Sequence, residues 1–105
     1  NLINRCLNNI IDNALKYGNK VEIKLNKKNT NLFIIIDDDG PGISSKEYEN
    51  VFKPFYKIDK SRADSKSSVG LGLSIASDVI KSHGGNIILK KSKMNGLRVK
   101  IFLPV

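Results

Sequence analysis

"IIIDDDGPGI", residues Ile34 to Ile43, runs from an apolar stretch into three adjacent carboxylates and then Gly-Pro-Gly. A turn needs one Asp or Asn and one Gly, so three aspartates in a row call for another account. The preceding "LFIIID" is apolar at consecutive positions, which predicts a strand covered on both faces and central to a sheet. A carboxylate at the end of such a strand can accept a hydrogen bond, while Gly40 and Gly42 let a flat ligand approach closely. Only one aspartate is needed for that task. Asp39, abutting Gly40, is assigned to it, and Asp37 and Asp38 are read as solubilising the strand end. Taken alone, D-G-P-G fits a plain turn equally well.

Outward from this strand the pattern is regular. Leu2, Ile3, Cys6, Leu7, Ile10, Ile11, Ala14 and Leu15 recur at helical spacing, predicting an amphipathic helix over residues 1 to about 17, closed by Gly18. "VEIKLN" alternates, with Val21, Ile23 and Leu25 on the half-buried side, and "KKNTN" turns the chain. Ser44 and Glu47 suggest a capping box for one short helix over "SSKEYENVF". Residues 57–68, "KIDKSRADSKSS", lack periodicity and read as a mobile loop. A second helix from Val69 turns Leu71, Ile75, Ala76, Val79 and Ile80 inward and stops at Gly84-Gly85. Two strands, "NIILKK" and "LRVKIFLP", flank "SKMNG", whose Asn95-Gly96 suits a hairpin. This order lacks the alternation of a Rossmann fold and predicts helices on one face of a mixed sheet.

The 105 residues form one domain with a modest core. No stretch approaches the roughly 18 apolar residues of a membrane span. The lone cysteine, Cys6, sits in the apolar helical pattern and reads as a small buried hydrophobe in a reducing compartment. A net charge of +8 raises nucleic-acid binding. Against it, the cations are mostly lysines spread along the whole chain. Arginine, suited to base-edge contacts, occurs only at Arg5, Arg62 and Arg98. No nucleic-acid partner is expected.

Two further stretches bear on the opening one. In "NNIIDNALKYG" (Asn8 to Gly18), Asn9, Asn13, Lys16 and Tyr17 share a helix face. A solvated face fits these residues. So does a patch offering amide oxygens to Mg²⁺, an ammonium to phosphate and a phenol ring to a base. In "VGLGLS" (Val69 to Ser74), Gly70 and Gly72 stand where a loop becomes a helix, a junction whose free N–H groups suit an anion. It lacks the third glycine of a dinucleotide fingerprint and the Lys of a Walker loop.

In this order the stretches resemble the ATP-binding catalytic domain of sensor histidine kinases, within the gyrase, Hsp90, histidine kinase and MutL superfamily. Residues 8–18 resemble its N-box, 37–43 its G1 box, 51–59 ("VFKPFYKID") its F-box and 69–76 ("VGLGLSIA") its G2 box, with an ATP lid over about 57–69. The tail "RVKIFLPV" resembles the closing strand, and the leaning is toward osmosensor kinases of the EnvZ type. The resemblance implies an α/β two-layer sandwich (the Bergerat or GHKL fold), three helices covering one face of a mixed sheet.

It also implies ATP and Mg²⁺ as cofactors. Asn13 would ligate Mg²⁺, Asn9 would line the phosphate end, Lys16 would meet phosphate and Tyr17 would lie beside adenine. Asp39 would accept from the adenine amine, with Gly42 and Ile43 at the ring. Gly70, Leu71 and Gly72 would meet the phosphates, and Phe52 and Phe55 would anchor the lid. Three departures stand out. Ser68 replaces the first glycine of the lid's last turn. Lys57 stands where many relatives carry an arginine, a place Arg62 could fill. The family's strand before the N-box helix is missing, which predicts a shortened sheet edge.

The implied activity is protein-histidine kinase. The γ-phosphoryl would go to a histidine on a separate dimerisation domain, absent from this sequence, and onward to a response regulator through the full-length protein. The domain would be cytoplasmic, in a parent anchored in the inner (plasma) membrane. His83, the only histidine, reads as a helix-closing residue. The alternative is a nucleotide-binding interaction module or an anti-sigma-factor-type serine kinase of the same fold. Clamp ATPases of the superfamily use a glutamate on the N-box helix to activate water; Asn9 occupies the corresponding patch.

Overall fold

A computed structural model describes residues 2–53 and 72–104. Two α-helices, α1 (Leu2–Tyr17) and α2 (Gly72–Ser82), cover one face of a four-stranded sheet. The strands are β1 (Val21–Lys28), β2 (Asn31–Asp38), β3 (Asn86–Lys91) and β4 (Leu97–Pro104), in the order β1-β2-β4-β3. All three pairings are antiparallel, where a mixed sheet was expected. Tight turns join β1 to β2 and β3 to β4, and β4 then runs back alongside β2, so every neighbour is reversed.

Strand alternation sorts the side chains. Ile34, Ile36 and Asp38 of β2 share the helix-covered face with Val99, Ile101 and Leu103 of β4 and with Ile87 and Leu89 of β3. Cys6 and Ile10 of α1 and Ala76 and Ile80 of α2 close the core over them. As expected, β2 is central. Of the inward residues of β1, Val21 packs against the core while Ile23 is 46% and Leu25 67% exposed, because the helix layer covers only the start of this edge strand. Leu2 and Leu15 of α1 and Ile75 of α2 are also exposed, which narrows both helical stripes. Burial pushes the Cys6 thiol pKa up, and its Sγ lies 3.6 Å from the Ala76 carbonyl, joining α1 to α2.

Turn chemistry follows the sequence closely at two sites. Gly84 adopts φ +83°, its N–H bonds the Lys81 carbonyl, and the Gly85 N–H bonds the Ile80 carbonyl. These two bonds form a Schellman stop for α2. At the β3–β4 turn, Asn95 adopts φ 77° and the Ser92 N–H bonds the Gly96 carbonyl. The stretch after the G1-like residues differs from expectation. In place of one capped helix there are two 3₁₀ turns, Ser45–Glu47 and Asn50–Phe52. Ser44 Oγ accepts from the Lys46 N–H, and Glu47 accepts from Asn50 Nδ2. The expected loop over 57–68 lies outside the described residues.

Candidate functional site

The three aspartates point three ways. Asp37 turns to the outer face, where Arg98 Nε and Nη2 donate to its two oxygens at 2.8 and 3.1 Å. Burial alone would raise the Asp37 pKa, but the hydrogen bonds from Arg98 and Ser92 and the nearby cationic charge outweigh it and hold the carboxyl low. Asp38 turns inward and is 7% exposed. Its Oδ1 accepts from the Gly40 N–H at 2.9 Å and the Leu97 N–H at 3.1 Å. Its other oxygen takes no hydrogen bond from the described residues.

Asp39 lies past the ladder. Its Oδ1 accepts from the N–H groups of Asn19 and Lys20, at 2.7 and 2.9 Å, which ties the end of β2 to the α1–β1 turn. Those bonds, led by the one from Lys20, hold its pKa below the usual carboxylate range against partial desolvation. The residue assigned to the ligand on the strength of its neighbour Gly40 thus has a structural task.

Close backbone approaches bring the distant motifs together. At Gly18, a Cβ would lie 2.8 Å from Asp39 Oδ1 and 3.0 Å from the Gly40 nitrogen. Any side chain there would push the end of α1 off the end of β2. At Gly96, a Cβ would fall on Asp38 Oδ1 and on the Asp38 carbonyl, and within 2.7 Å of the Gly40 nitrogen. Gly42, at φ +73°, packs beneath the Gly96 carbonyl. Asp38, Asp39 and Gly40 are therefore clamped between the α1–β1 turn and the β3–β4 hairpin, with α2 packed beside α1.

Of the other expected site residues, Asn13 is half-buried on α1, Asn9 and Lys16 are exposed, and Tyr17 is the last residue of the helix. Ile43 is half-buried against the core, as is Phe52, and Gly72 is the first residue of α2. Lys57, Arg62, Gly70 and Leu71 lie outside the described residues, as do Phe55 and Ser68. Gly96, the Leu97 N–H and the inward aspect of Asp38 were missed. Alternation along β2 carries the signal: Ile34 and Ile36 face inward, so Asp38 does too. His83 is exposed at the end of α2, its Nδ1–H donating to the Val79 carbonyl at 2.8 Å.

Residues 1–105 match the family described as Histidine kinase-, DNA gyrase B-, and HSP90-like ATPase. The chain is 38% identical to the sensor histidine kinase CpxA of Escherichia coli K12, over 100% of this chain and 23% of that protein. It superposes on the catalytic domain of histidine kinase ThkA with a TM-score of 0.83 at 28% identity, covering 98% of this chain and 66% of that one. The NMR structure of the histidine kinase domain of the E. coli osmosensor EnvZ gives 0.68 at 31% identity, covering 99% and 64%. This chain spans less than a quarter of the length of the CpxA protein it matches. The match over residues 1–105 and the likeness to histidine kinase catalytic domains agree: the chain belongs to the histidine kinase-, DNA gyrase B- and HSP90-like ATPase family, as an ATP-binding domain of the sensor histidine kinase type.

Proposed function

We propose that the domain binds MgATP at the clamp and presents the γ-phosphate to a histidine on a separate dimerisation domain, with Asp38 as the purine contact. The observation that carries this is the position of the Asp38 carboxylate. It is nearly buried, and two backbone N–H groups fix its orientation. Gly40 and Gly96 pack on it without side chains. A desolvated, oriented acceptor discriminates strongly between ligands, because an unmatched partner leaves it unpaired. Adenine offers an amine at its six-position, and guanine offers a second acceptor.

The phosphates would extend toward the paired helices. Asn9, Asn13 and Lys16 share one face of α1, and the N-terminus of α2 favours negative charge. No group of three or more His, Cys, Asp or Glu that could hold a metal exists among the described residues. The Asn13 amide oxygen, a hard donor of the kind magnesium accepts, would hold the ion. When bound, it would supply positive charge that stabilises the phosphates. The chain's own contribution is positioning and charge stabilisation, the main needs of phosphoryl transfer. Lys57, Arg62, Gly70 and Leu71 complete the proposed phosphate end, and Tyr17, Gly42 and Ile43 the base end. Membrane anchoring of the parent and transfer to a response regulator belong to the same proposal; no described helix is long and apolar enough to cross a membrane.

Calorimetric titration with ATP and GTP tests the assignment. Wild type should prefer ATP by at least roughly tenfold, about 1.4 kcal/mol. Asp38→Ala should lose most ATP affinity and erase the preference. Asp39→Ala should weaken the fold and retain the preference in the folded fraction, as should Asp37→Ala. If Asp39→Ala alone erased the preference, the purine would sit at the α1–β1 turn instead.

A further inference from the structure

The sheet face opposite the helices is not built as a plain solvated face. A one-sided antiparallel sheet normally alternates apolar inward with polar outward. β1 obeys this, presenting Glu22, Lys24, Asn26 and Lys28 outward. The next strands do not. By register, Phe33 lies beside Phe102, while Ile35, Lys100 and Ile88 follow one another across β2, β4 and β3. The phenyl rings stand 5.4 Å apart at 46°, and Ile88 is 41% exposed. Between them runs a groove of about 160 Å³ lined by Phe33, Ile35, Asn86, Ile88, Lys100 and Phe102. That is room for about five waters, which apolar walls hold poorly. Cross-strand pairing accounts for the two rings, but not for a groove continuing to an exposed isoleucine.

The rim is cationic. Both acids on this face are already engaged: Glu22 with Lys93 at 2.8 Å and Lys24 at 3.9 Å, and Asp37 with Arg98. Lys28, Lys90 and Lys100 have no carboxylate within ion-pair distance among the described residues. The apolar strip crosses three strands, two spacings of roughly 4.8 Å each. Its width of about 10 Å equals the diameter of one α-helix.

We propose that the outer face of β2, β4 and β3 is a docking surface for an acidic amphipathic helix of a partner protein. The helix would lay an apolar side chain in the Phe33–Ile88–Phe102 groove and set carboxylates against Lys28, Lys90 and Lys100. Three features favour a protein helix over a lipid surface. The face is grooved rather than protruding, its aromatic rings are half-buried, and its lysines flank the strip on both sides. The surface lies across the sheet from the proposed nucleotide site, so its occupancy and ATP binding can be measured separately.

The test uses the isotope-labelled chain and a synthetic helical peptide of about 18 residues. One peptide carries Leu at i, i+3, i+4 and i+7 among glutamates; a second has the same composition scrambled. The amphipathic peptide should shift the amide signals of Phe33, Ile35, Ile88 and Phe102, and the scrambled one should bind at least tenfold more weakly. Ile88→Glu and Lys100→Glu should each weaken binding by tenfold or more with ATP affinity unchanged. Lys28→Glu/Lys90→Glu supplies the same test from the rim should either substitution unfold the domain. Equal binding of both peptides, or no shift on this face, overturns the proposal. So does capture by phosphatidylserine vesicles in place of the peptide, or a concentration-dependent dimer that Ile88→Glu dissolves.

Discussion

Asp37, Asp38 and Asp39 differ in what surrounds them, and acid should separate their contributions. The pKa values of Asp37 and Asp39 are lowered in the folded state. The unfolded chain therefore takes up protons first as pH falls, and stability declines with it. The contribution is complete above the unfolded carboxylate value, about 3.9, and is lost as pH falls through the lower folded values. Denaturant midpoints should thus hold between about pH 7 and 5 and drop below about pH 4. Asp37→Asn should flatten part of that drop. It should also cost about 1–3 kcal/mol at neutral pH, toward the lower end because Arg98 is 27% exposed. An unchanged acid profile in Asp37→Asn would assign the acid sensitivity to other carboxylates.

At the scale of elements, helix ends carry most of the specific information. Gly84 sits at φ +83° in the Schellman stop of α2. Alanine there should destabilise the domain by about 1–2 kcal/mol, the cost of a left-handed L-residue. A thermal melt measures this, and no change would mean the turn rearranges freely. On α1, Asn13→Ala should leave the helix standing, since alanine is the better helix former. If its amide oxygen ligates Mg²⁺, MgATP affinity should fall about tenfold or more, about 1.4 kcal/mol. Affinity for ATP in EDTA should hardly move. Equal losses in both titrations would make Asn13 a positioning residue for the helix.

Taken whole, the molecule separates its histidine from the proposed nucleotide end. His83 closes α2 and Gly72 begins it, 11 residues and roughly 16 Å apart along the axis. The proposed phosphate end lies at the positive N-terminus of α2, and His83 is bonded to the last turn at the other end. Incubated alone with γ-labelled ATP, the domain should bind nucleotide and acquire no stable label. Label on His83 would refute the division of labour between this domain and a separate phosphoacceptor. Addition of a dimerisation domain bearing a histidine should restore transfer.

Most of this architecture was legible from local pattern. Apolar period gave α1, α2 and the four strands, while Gly84-Gly85 and Asn95-Gly96 marked the stop and the hairpin, because positive φ excludes most side chains. The motif order sufficed for the family. Strand direction required tertiary contact, since antiparallel and mixed sheets share one alternation and differ only in how β4 returns beside β2. So did the coverage of Ile23 and Leu25, which depends on how far the helix layer extends over an edge strand. The roles of the three aspartates were divided the same way. Period two along β2 already turned Asp38 inward, but Gly96 and Gly18 had to close on the strand end before the Asp38 carboxylate was held by the Leu97 N–H and the Asp39 carboxylate by the α1–β1 turn. A residue's partners across 59 positions of chain come from packing, and no local propensity encodes them.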